Sequence, residues 1–235
     1  MDSIIFDVDG TLWNSTAIIA KTWKRYLSED EHLDIPLTAE LLSSMFGRPL
    51  PDIARQIFPN VSETEQLRLI DSCCQAEHIA LLAECAPLYE DLEKTLQLLS
   101  EKYSLYIVSN CEAGYIEVFL KTTGFSKYFK GHLCNGDNGL DKGSNIALIA
   151  QTYHMNSPVY VGDTMGDFLS CRKAGVPFVF ASYGFAKQAF PSGQRPQENP
   201  FVGSFPSLCR ERIYPFLRKP TSPGNQRNAS MRSLQ

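Results

Sequence analysis

The stretch Ser3-Ile-Ile-Phe-Asp7-Val-Asp9-Gly10-Thr11-Leu-Trp13 joins an apolar run to two aspartates and a Gly-Thr turn. An apolar run of this length, bounded by turn residues, is typical of a buried strand. The strand would leave Asp7 and Asp9 on the same side of its carboxyl end, two residues apart. Two carboxylates this close repel each other unless one is protonated or a cation lies between them. The stretch therefore predicts a site for Mg²⁺, or for a shared proton, at the mouth of a sheet.

Strands and helices alternate after residue 87. The pattern predicts buried strands at 105–108, 159–161 and 177–181, and a weaker strand at 131–134. Apolar residues recur at helical spacing in the segments between them. This alternation is typical of a doubly wound parallel sheet. We therefore predict an α/β core made of residues 1–13 and 87–217.

Residues 14–86 carry helical periodicity and no convincing strand. Ile19 and Trp23 begin an apolar stripe, and Ser62 followed by Glu65 predicts a capping box for a longer helix that runs to about residue 84. Because the strand before this block and the strands after it belong to one sheet, the block is an insertion. We predict an all-helical cap domain at this place in the chain.

Composition narrows the class of protein. The chain has 235 residues, of which 43% are hydrophobic and 20% charged, which is ordinary for a globular protein. No apolar run approaches the roughly 20 residues of a membrane span, and no basic and apolar leader precedes the first strand. Seven cysteines without Cys-x-x-Cys spacing suit thiols in a reducing compartment. We expect a cytoplasmic protein with no membrane partner, either a monomer or a homodimer.

Charge is distributed unevenly. The net charge is −4, yet residues 212–235 hold five basic residues and no acidic one, so the remainder is strongly acidic. An acidic body without a basic stripe argues against nucleic acid as a partner. Residues 218–235 are rich in Ser, Pro, Asn and Arg and have little to bury. They predict a disordered tail, with an anion-binding arm as the alternative.

Polar residues follow three of the predicted strands. Asp7 follows the first, Ser109-Asn110 the second, and Gly162-Asp163 the strand at 159–161. Ligands of open parallel sheets bind beyond the carboxyl ends of the strands, so these side chains should converge. Asp167 lies four residues after Asp163, a spacing that points both carboxylates the same way on a helix. Such oxygen ligands suit a hard cation.

Each of these residues also has a plainer interpretation. Ser109 alone would more often be a turn or capping residue, and Asp163 could cap the following helix. Lys142, in Gly139-Leu-Asp-Lys-Gly-Ser144, could be a solvated loop charge. It becomes a site candidate because four carboxylates gathered around a phosphate require a further positive charge.

These pieces resemble, in order, the four motifs of the haloacid dehalogenase superfamily. The motifs are Asp-x-Asp-Gly-Thr at 7–11, Ser109, Lys142 and Gly-Asp-x-x-x-Asp at 162–167. The first and last are specific, and the resemblance covers about residues 3–185. The helical insertion is similar to the cap of the phosphoglycolate phosphatase-like branch. Two departures are that Lys142 lacks the usual following proline and that Pro87-Leu88 replaces Pro-Gly.

The resemblance implies a Rossmannoid core of the superfamily type and Mg²⁺-dependent hydrolysis of a small phosphorylated metabolite, phosphoglycolate-like or a sugar phosphate. The reaction would pass through an aspartyl-phosphate, with Asp7 as nucleophile and Asp9 as general acid and base. The metal would be held by Asp7, Asp9 (through its backbone carbonyl), Asp163 and Asp167. The transferring phosphate would be bound by Gly10, Ser109, Asn110 and Lys142.

Arg48, between Gly47 and Pro49 in the predicted cap, is the candidate for substrate specificity. It could pair with a substrate carboxylate such as that of phosphoglycolate. The alternative is an exposed arginine without a role in binding.

Three other functions compete with phosphatase activity. A dehalogenase of the same superfamily would lack the second aspartate, so Asp9 argues against it. A phosphosugar mutase shares every motif, although Thr11 is more typical of hydrolases. A catalytically silent binding module would be expected to have lost carboxylates, and all four are present.

Overall fold

The computed structural model describes residues 1–185. Within them lie five strands, nine α-helices and one short 3-10 helix. The predicted remainder of the core at 186–217 and the predicted tail at 218–235 lie outside the described residues.

Five parallel strands form one sheet in the order β3-β2-β1-β4-β5. The strands are β1 (Ser3–Phe6), β2 (Ser104–Ser109), β3 (Phe129–Cys134), β4 (Pro158–Gly162) and β5 (Phe178–Phe180). The opening apolar run is therefore the central strand. The predicted α/β doubly wound parallel sheet is confirmed.

Helices connect the strands and cover both faces of the sheet. They are α5 (Leu92–Ser100), α6 (Tyr115–Thr123), a 3-10 helix (Phe125–Tyr128), α7 (Asn135–Asn138), α8 (Lys142–Thr152) and α9 (Met165–Ala174). Alternate residues of β1 face opposite layers, because Ile4 and Phe6 belong to one apolar cluster and Ile5 belongs to the other. All three are fully buried. A central strand buried on both faces reads as a continuous apolar run.

Residues between β1 and β2 contribute four further helices before α5. These are α1 (Thr16–Glu29), α2 (Ala39–Met45), α3 (Leu50–Ile57) and α4 (Glu63–Ala83). No strand occurs between residues 14 and 86, as predicted. The limits of the cap as a separate domain stay a prediction. Among residues 1–185, no helix has the length and apolarity needed to cross a membrane.

The insertion shows how its longest helix begins and how it packs on the sheet. The Ser62 hydroxyl caps α4 by accepting the Glu65 N–H at 3.3 Å. The Glu65 carboxylate, however, pairs with Arg68 and does not complete the predicted capping box. Trp23 of α1 is buried in the same apolar cluster as Ile4 of the sheet, so cap and core share one hydrophobic interior.

Candidate active site

Three aspartates meet at the carboxyl edge of the sheet. Asp7 follows β1, Asp163 follows β4, and Asp167 lies in the first turn of α9. One carboxylate oxygen from each lies within 4.8 Å of the others. All three side chains are buried. The convergence predicted for these residues is therefore present, and it follows from the parallel pairing of β1 with β4.

Lys142 supplies the positive charge of this cluster. Its Nζ lies 2.6 Å from Asp167 Oδ1 and 3.1 Å from Asp7 Oδ1, and the side chain is almost wholly buried. Burial opposes the charged ammonium, but the charges of Asp167 and Asp7 outweigh it and raise the pKa of Lys142. The solvated-loop interpretation is wrong, because Lys142 opens α8 behind the N-cap Asp141.

The segment after β4 forms a reciprocal helix cap. The Thr164 hydroxyl accepts the Asp167 N–H at 3.1 Å, while Asp167 Oδ2 accepts the Thr164 N–H at 2.9 Å. Thr164, and not Asp163, therefore caps α9. Asp163 Oδ2 accepts the Phe185 N–H at 2.7 Å instead. Burial, followed by the charges of Asp167 and Asp7, raises the pKa of Asp163.

Gly10 allows Asp163 to approach the loop after β1. Its φ is +81°, a left-handed conformation that costs glycine little. A Cβ at this position would collide with the carboxylate of Asp163. Glycine is thus required at position 10 because the loop after β1 packs closely against the Asp163 carboxylate. The contact of Gly10 with phosphate stays a prediction.

Asp9 lies outside the three-carboxylate cluster and has its own partners. Its Oδ1 accepts hydrogen bonds from the Ser15 hydroxyl and, at 2.8 Å, from the Tyr115 hydroxyl. Burial raises the pKa of Asp9 to about 7, against the stabilising hydrogen bonds of Ser15 and Tyr115. A pKa near 7 leaves the carboxyl group partly protonated at neutral pH, which suits a general acid. Neither Ser15 nor Tyr115 stands in a recognisable sequence motif, so neither was predicted as a site residue.

Burial also raises the pKa of Asp7, to about 6. Lys142 acts in the opposite direction and Asp167 reinforces the rise. Although Lys142 forms an ion pair with Asp7 Oδ1, the approach lacks hydrogen-bond geometry, and this buried oxygen has no hydrogen-bond partner.

The predicted phosphate ligands on β2 lie beside the cluster. Ser109 ends β2 and is buried. The Asn110 side chain crosses to the inserted helices, where its Nδ2 donates to the Gly47 carbonyl at 2.8 Å. This bond ties the loop after β2 to the loop that carries Arg48.

A cavity between the inserted helices and the sheet opens onto Asp7 and Asp9. Its volume is about 40 Å³. Arg48 lines it, but the side chain is exposed and donates to Gln56 Oε1 at 3.2 Å and the Ser44 carbonyl at 3.4 Å. Arg48 is thus exposed and also borders the cavity, and its role in substrate specificity stays a prediction.

The cluster fits a divalent cation by its charge. When all three carboxyl groups are ionised, the ammonium of Lys142 compensates one of their charges. Two negative charges then stay uncompensated among buried side chains. An unpaired buried charge is costly, and oxygen ligands of this kind suit Mg²⁺. Asp7 Oδ1, which is ion-paired with Lys142 but accepts no hydrogen bond among residues 1–185, is a suitable ligand atom.

Comparisons with known proteins agree with this geometry. The family described as haloacid dehalogenase-like hydrolase matches residues 4–181. The chain is 32% identical over 182 residues to the pyrophosphatase PpaX of Listeria welshimeri, covering 73% of this chain and 79% of that protein. It is 23% identical over 197 residues to a phosphoglycolate phosphatase of Pseudomonas fluorescens, covering 77% and 70%.

Solved structures show the same fold. A haloacid dehalogenase-like hydrolase of Streptococcus pneumoniae superposes with a TM-score of 0.67 at 22% identity, over 79% of this chain and 86% of that one. A 2-haloacid dehalogenase of Pseudomonas syringae superposes with a TM-score of 0.61 at 17% identity, over 92% and 99%. The family match over most of the described residues, together with the acidic cluster at the sheet edge, shows that this chain belongs to the haloacid dehalogenase-like hydrolases.

Proposed function

We propose that the protein is a Mg²⁺-dependent phosphatase that hydrolyses a small phosphomonoester through an aspartyl-phosphate on Asp7. The observation that carries the proposal is the buried cluster of Asp7, Asp163 and Asp167 with Lys142 between two of them. A structural ion pair would need only one carboxylate. The surplus negative charge at a nucleophile-bearing strand end suits a metal-assisted phosphoryl transfer.

Asp7 is the nucleophile in this proposal. Its carboxylate attacks phosphorus, and the bond to the leaving-group oxygen breaks as an acyl phosphate forms. Asp9, whose pKa is raised to about 7, donates its proton to the leaving oxygen. It then removes a proton from the water that attacks the acyl phosphate. The Ser15 and Tyr115 hydroxyls hold the Asp9 carboxyl in one orientation.

Mg²⁺, when bound, would neutralise phosphate charge during the transfer. The Asp7 carboxylate, the Asp9 backbone carbonyl and Asp163 would hold the ion, with Asp167 acting through a water. Lys142, Ser109 and the backbone N–H groups near Gly10 and Asn110 would stabilise the remaining charge on the phosphoryl oxygens. The lysine is the best supported of these, because it already contacts Asp7.

The relatives narrow the substrate only to small phosphorylated compounds. One is named a pyrophosphatase and another a phosphoglycolate phosphatase, and their leaving groups differ. Arg48 borders the cavity and stays the candidate for substrate specificity. A cytoplasmic location and a monomeric or dimeric state stay predictions.

Release of inorganic phosphate tests the proposal. Phosphoglycolate, sugar phosphates, nucleotides and pyrophosphate would be assayed with Mg²⁺ and with a chelator. We expect release that requires Mg²⁺ and is abolished by Asp7→Asn with the circular dichroism spectrum unchanged. Mass spectrometry of acid-quenched enzyme should find a phosphoryl group on the peptide that contains Asp7. Substantial turnover by Asp7→Asn would refute the nucleophile, and phosphoryl transfer to a sugar without phosphate release would favour a mutase.

A further inference from the structure

A second carboxyl pair lines the same cavity and is separate from the three-aspartate cluster. Glu77 belongs to α4 of the inserted helices, and Glu112 lies in the loop after β2. Their oxygens lie within 4.8 Å of each other and of Cys74 Sγ. Both glutamates line the cavity that Asp7 and Asp9 border. The proposed reaction gives this pair no role.

Glu77 is buried with one carboxyl oxygen unsatisfied. The residue is 3% exposed, and its Oε2 makes no hydrogen bond among the described residues. Burial, followed by the charge of Glu112 and an interaction with its side chain, raises the pKa of Glu77, while the Trp23 indole N–H acts in the opposite direction. The unsatisfied Oε2 is costly to bury, and a hydrogen-bond donor on a bound ligand would satisfy it.

Glu112 has a hydrogen-bond partner on the inserted helices. His78 Nε2 lies 2.7 Å from Glu112 Oε1. The cavity wall around the pair is otherwise aromatic and aliphatic, with Trp23 and Tyr115 among its residues. A pair of carboxyl groups beside aromatic rings is a suitable environment for an organic cation.

The pair is connected to Asp9 through Tyr115. The Tyr115 hydroxyl donates to Asp9, and its ring packs at a tilt against His78, 6.2 Å between centroids. In the proposed function Asp9 protonates the leaving oxygen. Glu77 and Glu112 share the cavity with Asp9, so they are the candidates to contact the remainder of the leaving alcohol.

We propose that Glu77 and Glu112 bind an ammonium group on the leaving alcohol, so that the substrates are small amino-alcohol phosphates. The inference rests on the proposed function and specifies its substrate class. An ammonium would give Glu77 Oε2 a donor and would relieve the repulsion between the two glutamates. An anionic leaving group, such as pyrophosphate or phosphoglycolate supplies, would increase that repulsion. Arg48 could contact such an anion only at the exposed border.

A series of substrates of nearly constant size tests the ammonium. The compounds are 2-aminoethyl phosphate, 2-hydroxyethyl phosphate, ethyl phosphate and phosphoglycolate, which differ only in the terminal group of the leaving alcohol. We expect kcat/KM for 2-aminoethyl phosphate to exceed that of each of the others by about tenfold or more. Equal or better hydrolysis of 2-hydroxyethyl phosphate, ethyl phosphate or phosphoglycolate would overturn the proposal.

Substitutions identify the residues responsible. Glu77→Gln and Glu112→Gln should each reduce the ratio of kcat/KM for 2-aminoethyl phosphate over ethyl phosphate by about tenfold. Glu63→Gln, an exposed change on the same helix, serves as the matched control and should leave the ratio unaltered. An unchanged ratio in both cavity variants would overturn the assignment.

Binding measurements separate this inference from the proposed function. Calorimetric titration with 2-aminoethyl phosphate and ethyl phosphate reports the subsite even where no phosphate is released. Selective binding of 2-aminoethyl phosphate without hydrolysis of any compound would uphold the subsite and refute the phosphatase. Hydrolysis without that selectivity would do the reverse. Two divalent ions bound per chain, one of them lost in Glu77→Gln, would assign the pair to a metal and overturn the ammonium site.

Discussion

The ammonium of Lys142 lies between two buried carboxylates, 2.6 Å from Asp167 Oδ1 and 3.1 Å from Asp7 Oδ1. These contacts join the first turn of α8 to the loop after β1 and the first turn of α9. A lysine in the first turn of a helix is unfavourable for the helix dipole. The two carboxylates offset that cost, and removal of the lysine would leave them without their only positive neighbour among the described residues.

Lys142→Met keeps much of the side-chain length and removes the charge. We expect the free energy of unfolding to fall by roughly 3–5 kcal/mol, because breaking a buried ion pair leaves uncompensated charge. Urea denaturation with a chelator present measures this loss. Lys173→Met, which removes the exposed pair with Asp141, is the control and should change stability by less than about 1 kcal/mol. Equal losses in the two variants would contradict the central position of Lys142.

Tyr115→Phe removes the hydroxyl that donates to Asp9 at 2.8 Å. Because Asp9 is proposed to protonate the leaving oxygen, kcat should fall by about tenfold for an alkyl phosphate. It should fall less for p-nitrophenyl phosphate, whose leaving group needs little protonation. Steady-state kinetics on the two substrates measures the difference. The same loss on both substrates would indicate that Tyr115 is merely structural. Tyr153→Phe controls for the loss of a hydroxyl, because Tyr153 is exposed and far from Asp9 in the chain.

Gly10→Ala and Gly124→Ala make a matched pair. Both glycines have positive φ, +81° and +71°, so both substitutions carry a similar backbone cost of about 1 kcal/mol. A Cβ at Gly10 collides with Asp163, whereas nothing lies within 4 Å of one at Gly124. We expect Gly10→Ala to be the more destabilising by at least roughly 1 kcal/mol and to weaken Mg²⁺ binding in calorimetry. Comparable effects would show that the loop moves freely away from Asp163.

The metal-free protein should be more stable at about pH 5 than at about pH 8. The pKa values of Asp7 and Asp9 are raised by burial, to about 6 and about 7, from 3.8. The folded state therefore binds more protons than the unfolded state over this range, and stability falls as pH rises, by roughly 4 kcal/mol. Carboxyl groups with lowered pKa, such as Asp141 at about 2, act only at lower pH.

Urea denaturation with a chelator at the two pH values tests this dependence. Asp9→Asn should reduce the slope, since the amide does not titrate. Added Mg²⁺ should stabilise most at the higher pH, where the carboxylates are ionised. Greater stability at the higher pH without metal would contradict the raised pKa values.

Most of the core could be predicted from local sequence. The central strand β1 is buried on both faces, so its residues form a continuous apolar run that one reading of the chain detects. The edge strand β3 gave a weaker signal, because Lys130 is exposed and most of its neighbours are only half-buried. It begins at Phe129, two residues before the predicted start. The reciprocal cap at Thr164 also has a local signature, yet we expected Asp163 as an alternative cap.

The acidic motifs were determined by sequence alone, because the two aspartates of each motif are close neighbours in the chain. The Ser15 hydroxyl meets Asp9 from only six residues away. Tyr115 lies 106 residues from Asp9, and only tertiary structure decided this contact, because α6 packs beside the loop after β1. Glu77 and Glu112 likewise come together across the insertion and the core. Side-chain contacts between distant segments depend on the packing of whole elements, which no local pattern encodes.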